Sequence, residues 1–254
     1  MIRQALFAFA LIPATFAQQR NFIACPIVRD TKTVPCFLAE YEGETYYLTI
    51  QQDIQAEIYP PQLLHEVLVE GTVAPGPRVC GGIPLKPLKL SVLSELNLSC
   101  NTIFPAEPGI EAPPTRRPAG PSTRQAPVTT APPPPERFTA PFSERQWQVN
   151  FDFDSAYLNF RATRMLSQVA EFTTASKAKT VELVAQRTTT LLSNGKTITE
   201  AEAVSSKRGA AVADLLKGLG VDAGSIKIRS VTSVPQPGGT TDGGKRVVSI
   251  RVIP

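Results

Sequence analysis

The sequence predicts an α+β protein with two folded parts. A C-terminal β-α-β-α-β-β domain, with two helices on a mixed sheet, is joined by a Pro-rich linker to a small β-rich domain that contains disulfides. Three observations predict this arrangement. Apolar residues after position 147 recur first with the period of strands and then with that of helices. Half of the 24 prolines lie between positions 105 and 141, and all four cysteines precede them.

The C-terminal domain is expected at 147–254 and opens with a strand followed by a helix. Residues 149–155 alternate between apolar and polar types, as a half-buried strand does. Asn159 is a suitable N-cap for the helix that follows. The apolar side of that helix is expected to carry Leu158, Ala162, Met165, Leu166, Val169 and Phe172.

A second strand is expected at 180–186, where apolar and polar residues again alternate. Thr199 and Glu202 have the spacing of a capping box, which predicts that a second helix begins at Thr199. This helix is expected to end at Leu219, because Gly220 follows it.

Two further strands are expected at 226–231 and 246–253, on either side of a loop at 235–244 that is rich in Pro, Gly and Thr. The order strand, helix, strand, helix, strand, strand predicts that both helices pack on one face of a mixed sheet.

The N-terminal domain is expected at 18–104 and contains mostly strand signals. Residues 36–41 and 44–50 flank a Glu-Gly pair that is typical of a hairpin turn. Further strands are expected at 66–73 and 85–93. Several short strands with little helix are typical of a small barrel, and the pattern resembles that of an oligonucleotide/oligosaccharide-binding (OB) fold.

Four cysteines, Cys25, Cys36, Cys80 and Cys100, predict two disulfides in an oxidising compartment. We expect short loops, which would pair the first with the second and the third with the fourth. Zinc is the alternative, but no two of them have the close spacing of a zinc site. His65 is the only histidine in the sequence, and we expect it to be structural, because no nucleophile lies near it.

The first 17 residues have the order of a cleaved signal peptide: a positive charge, an apolar run and small residues at the cleavage position. A short buried helix is the alternative. No later stretch approaches the roughly 20 apolar residues of a membrane helix, so we expect no transmembrane segment in the mature chain. The formal net charge of +4 is too small to indicate a nucleic-acid partner.

The linker is expected at 105–146, where proline is frequent and large apolar residues are rare. Such a segment cannot bury enough surface to offset its ordering entropy, so we expect it to be an extended tether. Its charges include Arg116, Arg117, Arg124 and Arg137, which are more typical of solvated charge than of a lipid contact.

Three runs in the C-terminal domain, at 149–156, 204–212 and 246–252, together resemble the OmpA-like C-terminal domain. The resemblance covers about the last hundred residues. It implies a module of the Gram-negative periplasm, associated with the cell wall or outer membrane, that binds the diaminopimelate side chain of peptidoglycan stem peptides without a covalent bond. It also implies that an Asp in the loop after the second strand and an Arg in the second helix contact the ligand.

The candidate ligand-binding residues that this resemblance implies are Asp154, Arg187, Thr188, Thr189 and Arg208. Arg208 matches the Arg of the family, but Thr189 stands where the family has its Asp. A Thr hydroxyl cannot offer a charge to the ammonium of the ligand, and charge-assisted hydrogen bonds are roughly twice as strong as neutral ones. In the last strand, Arg246 remains a clear match, whereas Lys245 and Val247 depart from the pattern.

Arg208 shares the apolar side of its helix with Val204 and Val212, so its guanidinium is expected to face the sheet. A buried charge needs a partner. Two roles remain open: an internal one, in which Asp152 or Asp154 is the partner, and a ligand-binding one.

Two functions follow. In the first, the protein associates with peptidoglycan, with weakened binding, while its N-terminal domain reaches another envelope protein. In the second, it is a periplasmic interaction or assembly factor whose OmpA-like domain no longer binds peptidoglycan. We expect no catalytic residues, no metal and no cofactor, because the sequence contains no recognisable set of catalytic groups.

Overall fold

The computed structural model describes residues 18–51, 58, 60–114, 138–234, 236–239 and 242–254. The predicted signal peptide and residues 115–137 of the predicted linker lie outside the described residues.

The N-terminal domain is a seven-stranded sheet with the strand order β1-β5-β6-β4-β3-β2-β7. Its strands are β1 (Gln19–Ala24), β2 (Pro26–Arg29), β3 (Cys36–Tyr41), β4 (Glu44–Ile50), β5 (His65–Val73), β6 (Ile83–Leu96) and β7 (Ile103–Phe104). The predicted hairpin of β3 and β4 is confirmed, with Glu42 and Gly43 both at positive φ in its turn. β1, β2 and β7 were not predicted. Because β1 and β7 lie at the two ends of the strand order, closure into an OB-like barrel is not confirmed.

Alternation along β1, β5 and β6 separates an apolar face from a polar one. Phe22, Val69 and Leu90 are buried in the domain's own core. The neighbouring positions point the other way and carry Asn21, Glu70 and Lys89, which are paired across the three strands. This second face meets the C-terminal domain.

The two disulfides join Cys25 to Cys100 and Cys36 to Cys80, so the predicted short-loop pairing is wrong. Strand register explains this. Cys36 lies opposite Arg29 in the antiparallel pair of β2 and β3, which leaves Cys25 about 13 Å away along β2. Cys100 precedes β7, which runs beside β2 and brings its Cα within 4.8 Å of that of Cys25.

The C-terminal domain has a four-stranded mixed sheet with the order β12-β9-β13-β8, plus a separate two-stranded hairpin. Its elements are β8 (Arg145–Asn150), α1 (Phe160–Ser176), β9 (Thr180–Gln186), β10 (Thr189–Leu191), β11 (Thr197–Thr199), α2 (Val204–Gly218), β12 (Ile226–Val231) and β13 (Val247–Ile253). Short 3₁₀ turns precede the last two strands. The predicted α+β order of two helices and a mixed sheet is confirmed.

Helix α1 begins as predicted, because the side chain of Asn159 accepts a hydrogen bond from the N–H of Ala162. Its buried face contributes Leu166, Val169 and Phe172 to the core between the helices and the sheet. Phe172 also contacts Phe138 and Phe142 edge to face, with ring centroids 5.1 and 5.9 Å apart. Residues of the predicted linker therefore pack on this domain.

Helix α2 begins at Val204 rather than at Thr199, and the predicted capping box is wrong. Thr199 ends β11 instead, and its hydroxyl lies 2.9 Å from that of Thr189 across the hairpin. Glu202 is exposed in the turn that precedes the helix. The β10–β11 hairpin, which was not predicted, therefore includes Thr199, and residues 200–203 form the turn before the helix.

Candidate functional site

Arg208 is fully buried, and all five of its N–H groups have acceptors within the chain. Nε donates to the carbonyl of Ser155 at 2.8 Å. Nη1 donates to the carbonyl of Gln186 at 2.9 Å and to Glu200 Oε2 at 3.0 Å. Nη2 donates to the carbonyl of Asp152 at 2.9 Å and to Glu200 Oε1 at 2.6 Å. A guanidinium has only these five donors, so none remains for a ligand.

Glu200 is the counter-charge of this site, and its side chain is also fully buried. Besides the fork with Arg208, its carboxylate accepts hydrogen bonds from the backbone N–H groups of Asp154 and Thr188, each at 2.8 Å. The segments that follow β8 and β9 and the turn before α2 are thereby joined at one buried carboxylate. Bidentate charge-assisted contacts of this kind are among the stronger hydrogen bonds in proteins.

The five predicted site residues do come together, but they surround Glu200. Arg187 donates to the carbonyl of Glu200 at 2.9 Å and to that of Thr232 at 2.8 Å. Thr188 is fully buried. The hydroxyl of Thr189 is engaged across the hairpin. Asp154 is exposed and its Oδ1 accepts a hydrogen bond from the N–H of Ala201 at 2.7 Å.

The prediction that Asp152 or Asp154 is the charged partner of Arg208 is wrong. Only the backbone carbonyl of Asp152 contacts the guanidinium, and the carboxylate of Asp154 caps the turn before α2. Sequence reasoning missed Glu200 because the capping-box prediction placed it in the first, exposed turn of a helix. One signal could have identified Glu200. A buried Arg needs a carboxylate partner, and the residues that follow the second strand include candidates for that partner.

Arg246 is the second fully buried arginine, and it lies at the boundary between the two domains. Its Nη1 and Nη2 each contact one carboxylate oxygen of Glu70, both at 2.7 Å. Nη2 also donates to the hydroxyl of Thr190 at 2.6 Å. Its Nε has no hydrogen-bond acceptor and lies 3.9 Å from Glu200 Oε1. Arg246, which the sequence matched to the family's last strand, is therefore paired with a carboxylate of the N-terminal domain.

A groove of about 420 Å³ runs along the same boundary, and Lys89, Asp152 and Met165 are among the residues that line it. Burial, with a contribution from Arg246, lowers the pKa of Lys89 from 10.5 to about 8. Burial raises the pKa of Asp152 above its ordinary value, although the positive charge of Lys89 opposes that shift.

A second groove of about 600 Å³ lies beside the segment that follows β8. Its lining includes Asp154 and Lys207 from the C-terminal domain, and Glu66 and Glu95 from the N-terminal domain. The groove therefore presents both negative and positive groups.

Across the described part of the chain, no group of three or more His, Cys, Asp and Glu side chains is arranged to hold a metal ion. None of the helices in that same part has the length and apolar character needed to cross a membrane.

No family model and no curated protein matches the chain. Three solved structures are similar to part of the chain. The OmpA-like domain of FopA1 from Francisella tularensis subsp. tularensis SCHU S4 is 21% identical, with a TM-score of 0.36 over 43% of this chain and 71% of that one. A putative MotB-like protein from Desulfovibrio vulgaris is 13% identical, with a TM-score of 0.35 over 43% and 73%. The periplasmic domain of Helicobacter pylori MotB is 17% identical, with a TM-score of 0.30 over 40% and 69%.

The elements of the C-terminal part follow one another in the predicted β-α-β-α-β-β order, with the β10–β11 hairpin inserted before α2. Its four-stranded sheet is mixed: β9 and β12 are parallel, and β13 lies antiparallel between β9 and β8. The C-terminal part of this chain is therefore an α+β domain with two helices and a mixed sheet in the predicted order.

Proposed function

We propose that this chain is a non-enzymatic protein of the cell envelope that acts as an interaction or assembly factor, and that its OmpA-like domain does not hold peptidoglycan through Arg208. One observation carries the proposal: every N–H group of Arg208 already donates to an acceptor within the chain.

A diaminopimelate carboxylate would have to displace Glu200 from Arg208. Glu200 would then remain buried with hydrogen bonds from two backbone N–H groups, those of Asp154 and Thr188, and with Arg246 Nε at 3.9 Å but not hydrogen-bonded to it. A buried carboxylate that loses its counter-charge is strongly destabilising. Thr189 adds to this barrier, because its hydroxyl offers no charge to the ligand's ammonium.

The envelope location is supported by the two disulfides, Cys25–Cys100 and Cys36–Cys80. Disulfides persist in oxidising compartments such as the periplasm and are rare in the cytosol. The predicted signal peptide, which lies outside the described residues, agrees with export to the periplasm.

A role in protein contacts is supported by exposed leucines at one end of the N-terminal domain. Leu96 and Leu98 are 70% and 72% exposed, and Leu64 beside them is 39% exposed. The N–H of Asn97 donates to the carbonyl of Leu64 at 2.8 Å, so the turn that contains Leu64 adjoins the end of β6 at Leu96 and the turn that contains Leu98. Clustered exposed apolar side chains are typical of protein–protein contact sites.

A second candidate function is weak peptidoglycan association at a different position. The 600 Å³ groove favours it, because Lys207 is available for a carboxylate while Asp154, Glu66 and Glu95 suit an ammonium. A stem peptide carries both groups, so this groove has the charges that a displaced site would need.

Sedimentation of the full chain with purified diaminopimelate-type peptidoglycan tests the proposal. We expect the native chain and its Thr189→Asp variant to stay in the supernatant, because neither releases Arg208 from Glu200. If the Thr189→Asp variant sediments and the native chain does not, the proposal is contradicted. That result would mean that the Arg208 site needs only an Asp at position 189 to bind peptidoglycan.

Two surface variants distinguish the second candidate in the same experiment. If the native chain sediments, and Lys207→Ala does not while Lys196→Ala still does, binding occurs in the 600 Å³ groove. Lys196 is a matched control because it is an exposed lysine in the β10–β11 hairpin, outside that groove.

A further inference from the structure

The face of the N-terminal domain that meets the OmpA-like domain is a row of three polar residues in register. Asn21 pairs with Glu70 across β1 and β5, and Glu70 pairs with Lys89 across β5 and β6. Because residues paired across strands point to the same side of a sheet, all three reach the other domain together. Polar residues on a solvated face are exposed, whereas Asn21 and Glu70 are only 2% and 8% exposed.

Each end of the row binds backbone groups of the OmpA-like domain. The side chain of Asn21 donates to the carbonyls of Leu191 and Gly239, at 3.0 and 3.3 Å. Lys89 Nζ donates to the carbonyls of Phe151 and Gly243, both at 2.8 Å. These contacts depend on the position of the backbone and set the alignment of the two domains.

The middle of the row is a charge contact with different chemistry. Glu70 presents both carboxylate oxygens to the two terminal nitrogens of Arg246, which is the forked geometry of a carboxylate recognised by a guanidinium. The hydroxyl of Thr190 and the ring of Phe153, 5.1 Å from the guanidinium carbon, complete the surroundings of Arg246 within its own domain. Without Glu70, Arg246 would lose both of its hydrogen bonds to a carboxylate, and the ion pair of its Nε with Glu200 Oε1, at 3.9 Å, would remain.

The backbone around the pocket leaves room for a carboxylate and little more. A Cβ added at Gly243 would lie 3.2 and 3.3 Å from the two carboxylate oxygens of Glu70. The N–H of Phe153 donates to the hydroxyl of Ser91 at 2.9 Å, on the edge of the same pocket.

We propose that Arg246, with Thr190, Phe153 and Gly243, forms a carboxylate-binding pocket on the OmpA-like domain, and that Glu70 of the N-terminal domain is its ligand within the same chain. The N-terminal domain is therefore an internal partner of the OmpA-like domain. A small carboxylate in solution can take the place of the Glu70 side chain when that side chain is removed. This pocket is distinct from the Arg208 site and does not rest on the proposed function.

Cutting the chain between the two domains allows docking to be measured. A protease site inserted between Gly120 and Pro121 would yield two fragments from the folded, oxidised full chain. We expect the native fragments to co-elute as one complex. Glu70→Ala should raise the dissociation constant on the order of a hundredfold, because truncating one partner of a buried charge pair leaves the other unpaired. Glu40→Ala, the same change at an exposed position of β3, should co-elute like the native fragments.

Chemical rescue tests whether the pocket recognises a carboxylate. Acetate at about 100 mM should restore co-elution of the Glu70→Ala fragments by mass action, whereas chloride at equal ionic strength and uncharged acetamide should not. Equal rescue by acetamide would contradict the proposal, because it would mean that only space was being filled. Co-elution of Glu70→Ala without any addition would also contradict it. If Glu70→Ala does not fold, Glu70→Gln decides the question, because Gln keeps the shape of the Glu side chain and removes its charge. Undiminished co-elution of the Glu70→Gln fragments would overturn the proposal.

Discussion

Glu200 illustrates at the scale of a single residue how a buried arginine can be fully engaged within the chain. Its carboxylate contacts the fully buried Arg208 and the backbone N–H groups of Asp154 and Thr188. A buried ion pair of this kind contributes little net stability compared with an apolar pair of similar volume, but losing one partner leaves an uncompensated charge. The network therefore resists any change in which Arg208 turns to an outside ligand.

Removal of Glu200 should accordingly destabilise the protein. We expect Glu200→Ala to lower the free energy of unfolding by about 3–5 kcal/mol, measured by urea denaturation of the full oxidised chain. Glu202→Ala, two residues further along and exposed, should stay within about 0.5 kcal/mol of the native chain. A loss below about 1 kcal/mol for Glu200→Ala would mean that Arg208 finds another partner and is available to ligands.

Lys89 should make stability depend on pH. Burial lowers its pKa from 10.5 to about 8 in the folded chain. Between these values the unfolded chain holds a proton that the folded chain has lost, so the stability contributed by this group rises with pH. Below about pH 7 both states are charged and the contribution is constant.

The comparison variant for this effect is Lys89→Met. Urea denaturation between about pH 6 and pH 10 should show the native chain gaining stability relative to Lys89→Met above about pH 8, and a constant difference below it. If the free energies of unfolding of the two proteins run parallel over the whole pH range, the amine of Lys89 keeps its ordinary pKa and the prediction is wrong.

At the scale of the elements, helix α2 and strand β12 approach each other at a glycine. A Cβ at Gly209 would lie 2.8 Å from Cγ2 of Ile228, whereas nothing lies within 4 Å of a Cβ at Gly218 in the same helix. We expect Gly209→Ala to destabilise the chain by about 1–3 kcal/mol through overpacking. Gly218→Ala should instead stabilise it by about 0.5–1 kcal/mol, because alanine favours helix. Thermal or urea unfolding of the two variants checks the prediction, and equal effects would contradict it.

The elements that could be predicted from the sequence are those that local chemistry determines. The hairpin of β3 and β4 has a turn that suits positive φ, and Asn159 caps α1 through its own side chain. The beginning of α2 could not be predicted in this way. Thr199 fits a capping box, but it pairs with Thr189 in a hairpin whose stability depends on contacts distant in sequence.

At the scale of the whole molecule, the contacts between domains explain what the sequence left unassigned. Glu70 lies on an alternating strand and has the pattern of an ordinary solvent-facing charge, but the C-terminal domain covers it. The disulfide partners likewise depend on which strands become neighbours, since β7 returns Cys100 to Cys25. Although a linker of many prolines predicts domains that move apart, hydrogen bonds of Asn21, Lys89 and Glu70 join the two domains.

The most direct test of the account is to observe the guanidinium of Arg208 while a ligand is offered. We would record the arginine side-chain N–H signals of the full chain by ¹⁵N NMR, assign them with Arg208→Lys, and add a muropeptide that contains diaminopimelate. We expect the Arg208 signals to exchange slowly with solvent and to keep their positions, because Glu200 and three carbonyls occupy all five donors. Signals that shift in proportion to the muropeptide added would show that Arg208 leaves Glu200 for the ligand, and would contradict the account.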